Sequence, residues 1–293
     1  MRGPVPAQQG IGMAGARDEN MNRNISVLSL SGIYEAQTFY KGLDGVNFID
    51  LRDVPGTNCM CDDAAKETLA AAIRGAGGDG SCWRSAGASA PGKDSDGSGD
   101  GAPGGLHFID NGNYHYLSAL FLEFVREPFS LVVLDHHPDM QAPMFDILSC
   151  GGWILHVIEN NPYVRDIHVI GADPALISRV DEKTRERVKF YENAMELPVT
   201  EHPVYISVDK DVIRRDELVT NWDQGELSVS EVLGVVKDLF QREESEGGKG
   251  IIGIDICGEC APEQQDCDLD AAIATNQRFN EEVMQYFVQT QTL

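Results

Sequence analysis

The sequence predicts an α/β protein with a mostly parallel sheet of about eight strands and helices on both faces. Three observations predict it. Short apolar runs alternate with helix-length amphipathic segments along most of the chain. The runs contain few charges, as strands buried on both faces do. Several of them end abruptly in Asp, His or Asn, which places polar groups at the carboxyl edge of the sheet, where ligands gather in open α/β folds.

Residues 1–23 are rich in Gly, Asn, Gln and Arg without periodicity and read as a disordered tail. ISVLSL (Ile25–Leu30) and VNFIDL (Val46–Leu51) read as the first two strands. A turn-rich loop, PGTNCMC, leads to Asp62 and Asp63, suited to cap a helix over Ala64–Arg74. Residues 75–105 are Gly/Ser/Asp-rich and almost free of apolar side chains, the composition of a flexible insertion. Residues 24–293 otherwise read as a single domain.

LHFID (Leu106–Asp110) is the third strand, and Leu117, Leu120, Phe121 and Phe124 give helical spacing over Tyr114–Val125, with His115 in the first turn. LVVLDHHPD (Leu131–Asp139) is the fourth strand and its polar end. A loop then leads through SCGGW (Ser149–Trp153) to a helix ending near Glu159. IHVIG (Ile167–Gly171), VKFY (Val188–Tyr191) and VYISV (Val204–Val208) follow as strands. Ser228 and Glu231 form a capping box opening a helix to about Phe240. GIIGIDI (Gly250–Ile256) is the eighth strand, and an amphipathic helix covers roughly Ala271–Val288.

The 293 residues carry a net charge of −24, which argues against nucleic acid and anionic membranes as partners. No apolar run approaches membrane-spanning length, and the N-terminus lacks the apolar core of a signal peptide, so a cytoplasmic protein is expected. Seven scattered cysteines do not resemble a secreted disulfide framework. Cys59 with Cys61 and Cys257 with Cys260 could form a zinc site in principle, but the pairs lie far apart in the chain, and buried or loop thiols are expected.

In extended chain Asp135, His137 and Asp139 point the same way. The next such pair is Asp209 and Asp211 after the seventh strand, and His115 follows the third. Two imidazoles and four carboxylates at one sheet edge are too many donors for one zinc ion. They suit two manganese-like ions bridged by shared carboxylates, about 3.5–4 Å apart. Without a cation the aspartates would repel one another.

DHHPD resembles the D-x-H-x-D signature of the ureohydrolases (arginase, agmatinase, formimidoglutamase), and SVDKD (Ser207–Asp211) resembles their S-x-D-x-D signature. NYHY (Asn113–Tyr116) stands where the family has its first histidine, and DQGELS (Asp223–Ser228) is similar to its glycine-containing turn. The resemblance covers roughly residues 106–290 and implies an arginase-like three-layer αβα fold. It implies two Mn2+ per chain: Asp135 and Asp209 as bridges, His115 and Asp139 completing one site, His137 and Asp211 the other. It further implies hydrolysis of a linear guanidino or amidino C–N bond of a small molecule, with Asp139 passing the proton to the departing amine. Gln141, Ser149 and Glu259 would contact substrate, Glu259 also serving catalysis, and a homo-oligomer, trimer or hexamer, would be formed.

Two positions depart from the family. Its proton-shuttle histidine falls near Gly151 or Gly152, beside Cys150, with His156 the nearest candidate. The carboxylate that pairs with a guanidinium falls on Gly258, and Glu259 is one residue late. Two alternatives therefore stand beside the hydrolase: a catalytically silent metal-binding protein on the same fold, and a single-zinc deacetylase-like amidohydrolase.

Overall fold

The computed structural model describes residues 24–76 and 105–290. The expected N-terminal tail and nearly all of the expected insertion lie outside them. Eight strands form one sheet: β1 (Ile25–Ser29), β2 (Val46–Asp50), β4 (Gly105–Phe108), β5 (Phe129–Leu134), β7 (Val164–Ile170), β8 (Lys189–Tyr191), β9 (Val204–Asp209) and β10 (Ile251–Cys257). Their order is β2-β1-β4-β10-β9-β5-β7-β8, and every pairing is parallel. All eight coincide with the apolar runs.

Both faces are covered, which is why these strands show no alternation. Along β5, Leu131 and Val133 join a core containing Leu120, Phe121, Trp153 and Ile154, while Val132 and Leu134 join one containing Val236, Leu239, Phe279 and Val283. The first layer is built by α1 (Asp63–Ala76), α2 (Leu117–Leu122) and α3 (Trp153–Asn160). The second is built by α6 (Val229–Glu243) and α7 (Leu269–Thr290).

The expected start signals operate: Asp62 Oδ1 accepts from Ala65 N at 2.9 Å, and Ser228 and Glu231 form the complete capping box of α6. The helix expected over Tyr114–Val125 is instead split into a 3-10 turn at Gly112–Tyr114 and the short α2. Asn111 caps the 3-10 turn by accepting from Asn113 N.

Two single-turn helices, α4 (Pro174–Ile177) and α5 (Glu182–Arg185), went unexpected, each capped by an aspartate. So did a small antiparallel ladder between β3 (Met60–Cys61) and β6 (Leu148–Ser149). Elements of two to four residues leave no periodicity to read. Among the described residues no helix is long and apolar enough to cross a membrane.

The sheet order positions the site. β9 and β10, late in the chain, lie between β4 and β5, so four carboxyl ends from distant segments become neighbours. Leu134 pairs with Val208, Ile256 with Phe108 and Cys257 with Asp209. The residues just beyond these pairs meet at one edge.

Candidate metal centre

Each candidate ligand is held by its own strand end. Asp135 follows β5, and its Oδ1 accepts the His137 backbone N–H at 2.6 Å. Asp209 ends β9, and its Oδ1 accepts the Asp211 N–H at 3.0 Å. Both are local Asx turns that aim one carboxylate and present the residue two positions on. The His115 loop is anchored by Asp110, whose carboxylate accepts from Leu30 N and Ser31 N at 2.8 Å each, from Ser31 Oγ at 2.6 Å and from Asn111 N at 2.7 Å.

The six expected ligands come together. His115 Nδ1 lies 3.3 Å from Asp135 Oδ2, 3.2 Å from Asp139 Oδ2 and 3.3 Å from Asp209 Oδ2. His137 Nδ1 lies 2.8 Å from Asp211 Oδ2 and 3.7 Å from Asp135 Oδ1. Two donor groups capable of holding a cation overlap at Asp135: His115, Asp135 and Asp139, and Asp135, His137 and Asp211. The far nitrogens of both imidazoles are occupied. His115 Nε2 shares a hydrogen bond with Ser207 Oγ at 3.0 Å, and His137 Nε2 meets Asp223 Oδ1 at 3.2 Å. Such partners orient metal-ligating histidines and leave the other nitrogen to the cluster.

All four aspartates are buried. Burial, with the charge of Asp135, pushes Asp139 up to about 7, and burial with the neighbouring Asp209 raises Asp211 well above the ordinary range. Burial opposes charging of the imidazoles too, yet the adjacent carboxylates of Asp135 and Asp139 raise His115, and those of Asp135 and Asp211 raise His137. Asp135 Oδ2 is buried without a hydrogen-bond partner. An orphaned carboxylate oxygen amid three further carboxylates and two imidazoles fits divalent-cation binding by oxygen and nitrogen donors.

The cluster floors a cavity of about 210 Å³. Asp135, His137, Asp139, Asp209 and Asp211 line it, and so do Gln141 and Ser149, the expected substrate contacts. Asp139 adopts φ 47° and accepts the Trp153 indole N–H at 2.8 Å.

Glu259 is not brought to this cavity. Its carboxylate is fully buried and accepts from Lys210 Nζ at 2.5 Å, Gln37 Nε2 at 2.7 Å and Asn280 Nδ2 at 2.7 Å. The buried ammonium of Lys210 needs an anion, and Glu259 supplies it from beneath the site. His156 points elsewhere as well, toward Glu123 at 3.9 Å. His136 is turned from the carboxylate cluster and packs edge-on to His137 at 5.0 Å. The two cysteine pairs considered for zinc remain apart, and the described cysteines are free thiols.

Three features carried no sequence signal. Trp222 walls the cavity, its indole N–H donating to Asn113 Oδ1 at 2.9 Å and its ring edge-on to His137 at 5.7 Å. A Cβ at Gly112 would lie 2.5 Å from Trp222 Cδ1, so only glycine admits the ring. Cys59 and Cys150 line the same cavity. Cys257, at the end of β10, donates its thiol to Asn111 O at 3.3 Å and lies within 4.8 Å of donor atoms of His115 and Asp209.

The fold is the ureohydrolase fold, in a divergent form. The agmatine ureohydrolase of Thermoplasma volcanium superposes with a TM-score of 0.56 at 13% identity, covering 92% of each chain. The formimidoylglutamase of Bacillus subtilis gives 0.54 at 12% identity over 95% of this chain and 96% of its own. The arginase of Bacillus subtilis gives 0.55 at 16% identity over 88% of this chain and 98% of its own.

In sequence, the chain is 31% identical over 158 residues to an uncharacterized protein of Thermotoga maritima, a match covering 54% of this chain. It spans 59% of that relative's length. No protein-family profile matches the chain.

Proposed function

We propose that this chain is a dinuclear manganese hydrolase of linear amidine or guanidino C–N bonds, releasing urea or an amide-type product and an amine. The observation that carries it is the convergence of Asp135, His137, Asp139, Asp209 and Asp211 on the floor of one cavity, with buried His115 against three of these carboxylates and Asp135 shared between two donor groups. The names of the structural neighbours point the same way.

In this reading Asp135 and Asp209 would be shared by the two ions, with His115 and Asp139 holding one and His137 and Asp211 the other. Bound divalent cations would supply Lewis acidity that makes water nucleophilic at neutral pH. The chain's own groups do the rest. Ser207 and Asp223 hold the two imidazoles in orientation. Gln141 and Ser149, on the cavity wall, position the planar carbon of the substrate. Asp139, whose carboxyl burial holds near neutrality, takes up a proton and delivers it to the departing amine nitrogen.

A second reading has its own observation. Glu259 is engaged below the site and His156 faces away from it, so neither the family's guanidinium partner nor its proton shuttle has a counterpart among the described cavity residues. That favours a metal-binding protein without turnover.

Metal analysis of protein purified without chelator, followed by assays of urea or amine release from arginine, agmatine, guanidinobutyrate and formimidoglutamate, separates these. Two manganese ions with turnover on one substrate support the hydrolase. Two ions without turnover on the panel support the silent protein, and a single zinc ion supports the deacetylase-like alternative.

A further inference from the structure

The wall of the cavity carries a pair of thiols that the metal chemistry leaves unused. The β3–β6 ladder pairs Met60 with Ser149 and Cys61 with Leu148, so its continuation sets Cys59 opposite Cys150. The Cys150 backbone N–H donates to Cys59 O at 3.0 Å. Cys59 turns into the left-handed region at φ 58° and Cys150 opens a 3-10 turn, so both leave the ladder. The backbone hydrogen bond between these opposed residues still holds their Cα atoms about 5.5 Å apart. That separation lies inside the about 4.4–6.8 Å that a disulfide spans.

Both cysteines line the cavity, and the two thiols perturb each other's titration. Cys59 is partly exposed while Cys150 is buried, the arrangement of an attacking and a resolving thiol. We propose that Cys59 and Cys150 form a thiol-modification site in the cavity wall, closing to an intramolecular disulfide by exchange with a small-molecule disulfide.

The step balances. The Cys59 thiolate attacks one sulfur of the reagent and expels the first small thiolate, leaving a mixed disulfide on Cys59. The Cys150 sulfur then attacks Cys59 Sγ and expels the second. Two protein thiols are oxidised, one small disulfide is reduced to two thiols, and the two protein protons end on those thiols. The neighbouring Cys150 thiol lowers Cys59 to about 7, which supplies thiolate at neutral pH. Cys59 and burial hold Cys150 well above the usual thiol range, and burial pushes Cys61 and Cys260 up to about 12. Once formed, the bond ties the segment at Cys59 to the Ser149–Gly151 turn. That turn in turn accepts the Gln141 N–H at Gly151 O, 2.8 Å away.

The test uses the full chain equilibrated with glutathione mixtures of increasing oxidised share, quenched by alkylation and read by peptide mass spectrometry. The expected result is a Cys59–Cys150 cross-linked peptide, two hydrogens lighter than the sum of its parts, that grows with the oxidised share and disappears with dithiothreitol. In Cys150→Ser the remaining Cys59 should carry glutathione instead, whereas in Cys59→Ser the buried Cys150 should stay a free thiol. The proposal is overturned if, at the highest oxidised share, both wild-type cysteines remain alkylatable or both stay glutathionylated without a cross-link. It is equally overturned if either pairs with Cys61 or Cys82. These outcomes are independent of whether manganese binds or substrate turns over.

Discussion

Gly258 stands where the family resemblance led us to expect a substrate-binding carboxylate, and the structure shows why that position is glycine. Its φ is +91°, its N–H donates to Asp110 O at 3.0 Å, and a Cβ there would lie 2.3 Å from Asp209 Oδ1 and 2.6 Å from Lys210 N. Gly258→Ala therefore carries two costs. The left-handed backbone costs about 1–2 kcal/mol, and a methyl group forced into a packed interior about 1–3 kcal/mol, for a total of about 2–5 kcal/mol. Lys210 N is backbone and cannot retreat, so the Asp209 carboxylate must turn away and give up its bond to Asp211 N. Urea unfolding at constant slope should show the stability loss, and manganese titration by calorimetry should show weakened binding. A loss below about 1 kcal/mol with unchanged manganese binding would refute the reasoning.

Lys210→Met removes one partner of a fully buried ion pair and should cost about 3–5 kcal/mol in chemical denaturation. Adding Glu259→Gln to it should recover part of that loss, and a double variant no more stable than the single one would contradict the pairing. Asp255, fully buried and accepting the Tyr205 phenol O–H at 2.7 Å, is pushed up to about 7 by burial. Its folded pKa exceeds the unfolded one, so the native state binds the extra proton and stability falls as pH rises from about 4 to about 7. The full fall amounts to about 4 kcal/mol. Asp255→Asn, neutral throughout, should flatten that slope in a series of melts from acid to alkaline pH; an unchanged slope would assign it elsewhere. Asp209→Asn removes the charge of one proposed bridging ligand and should lower the bound manganese per chain, and full occupancy by two ions in that variant would reject the bridge.

The six inner strands of the large sheet were legible as apolar runs because helices cover both faces there, while the edge strands β2 and β8 are part-exposed and were read from the runs VNFIDL and VKFY. The six donors of the candidate centre were legible for a related reason. Asp135, His137 and Asp139, and likewise Asp209 and Asp211, follow strands at spacings of two that point to one edge, and His115 follows the third strand. Asx turns and a left-handed Asp139, rather than extended chain, aim them. The partners of those donors were not legible. Ser207 lies 92 residues from His115, and Asp223 lies 86 residues from His137. Nothing in local spacing announces such pairs.

Glu259 shows the boundary most clearly. The chain alone places a carboxylate one residue beyond the expected count. Whether it enters the cavity is decided by Lys210, Gln37 and Asn280, which come from three other segments and claim both of its oxygens. Trp222 depends in the same way on the missing Cβ of Gly112, and the Cys59–Cys150 pair on a ladder of two residues per strand. Periodicity and strand-end chemistry are local, so the sequence by itself determined the strands, the long helices and the donor atoms. The order β4-β10-β9-β5 is set by packing between distant segments, and only that tertiary arrangement decided which donors meet, which carboxylate is withdrawn, and which side chains wall the cavity.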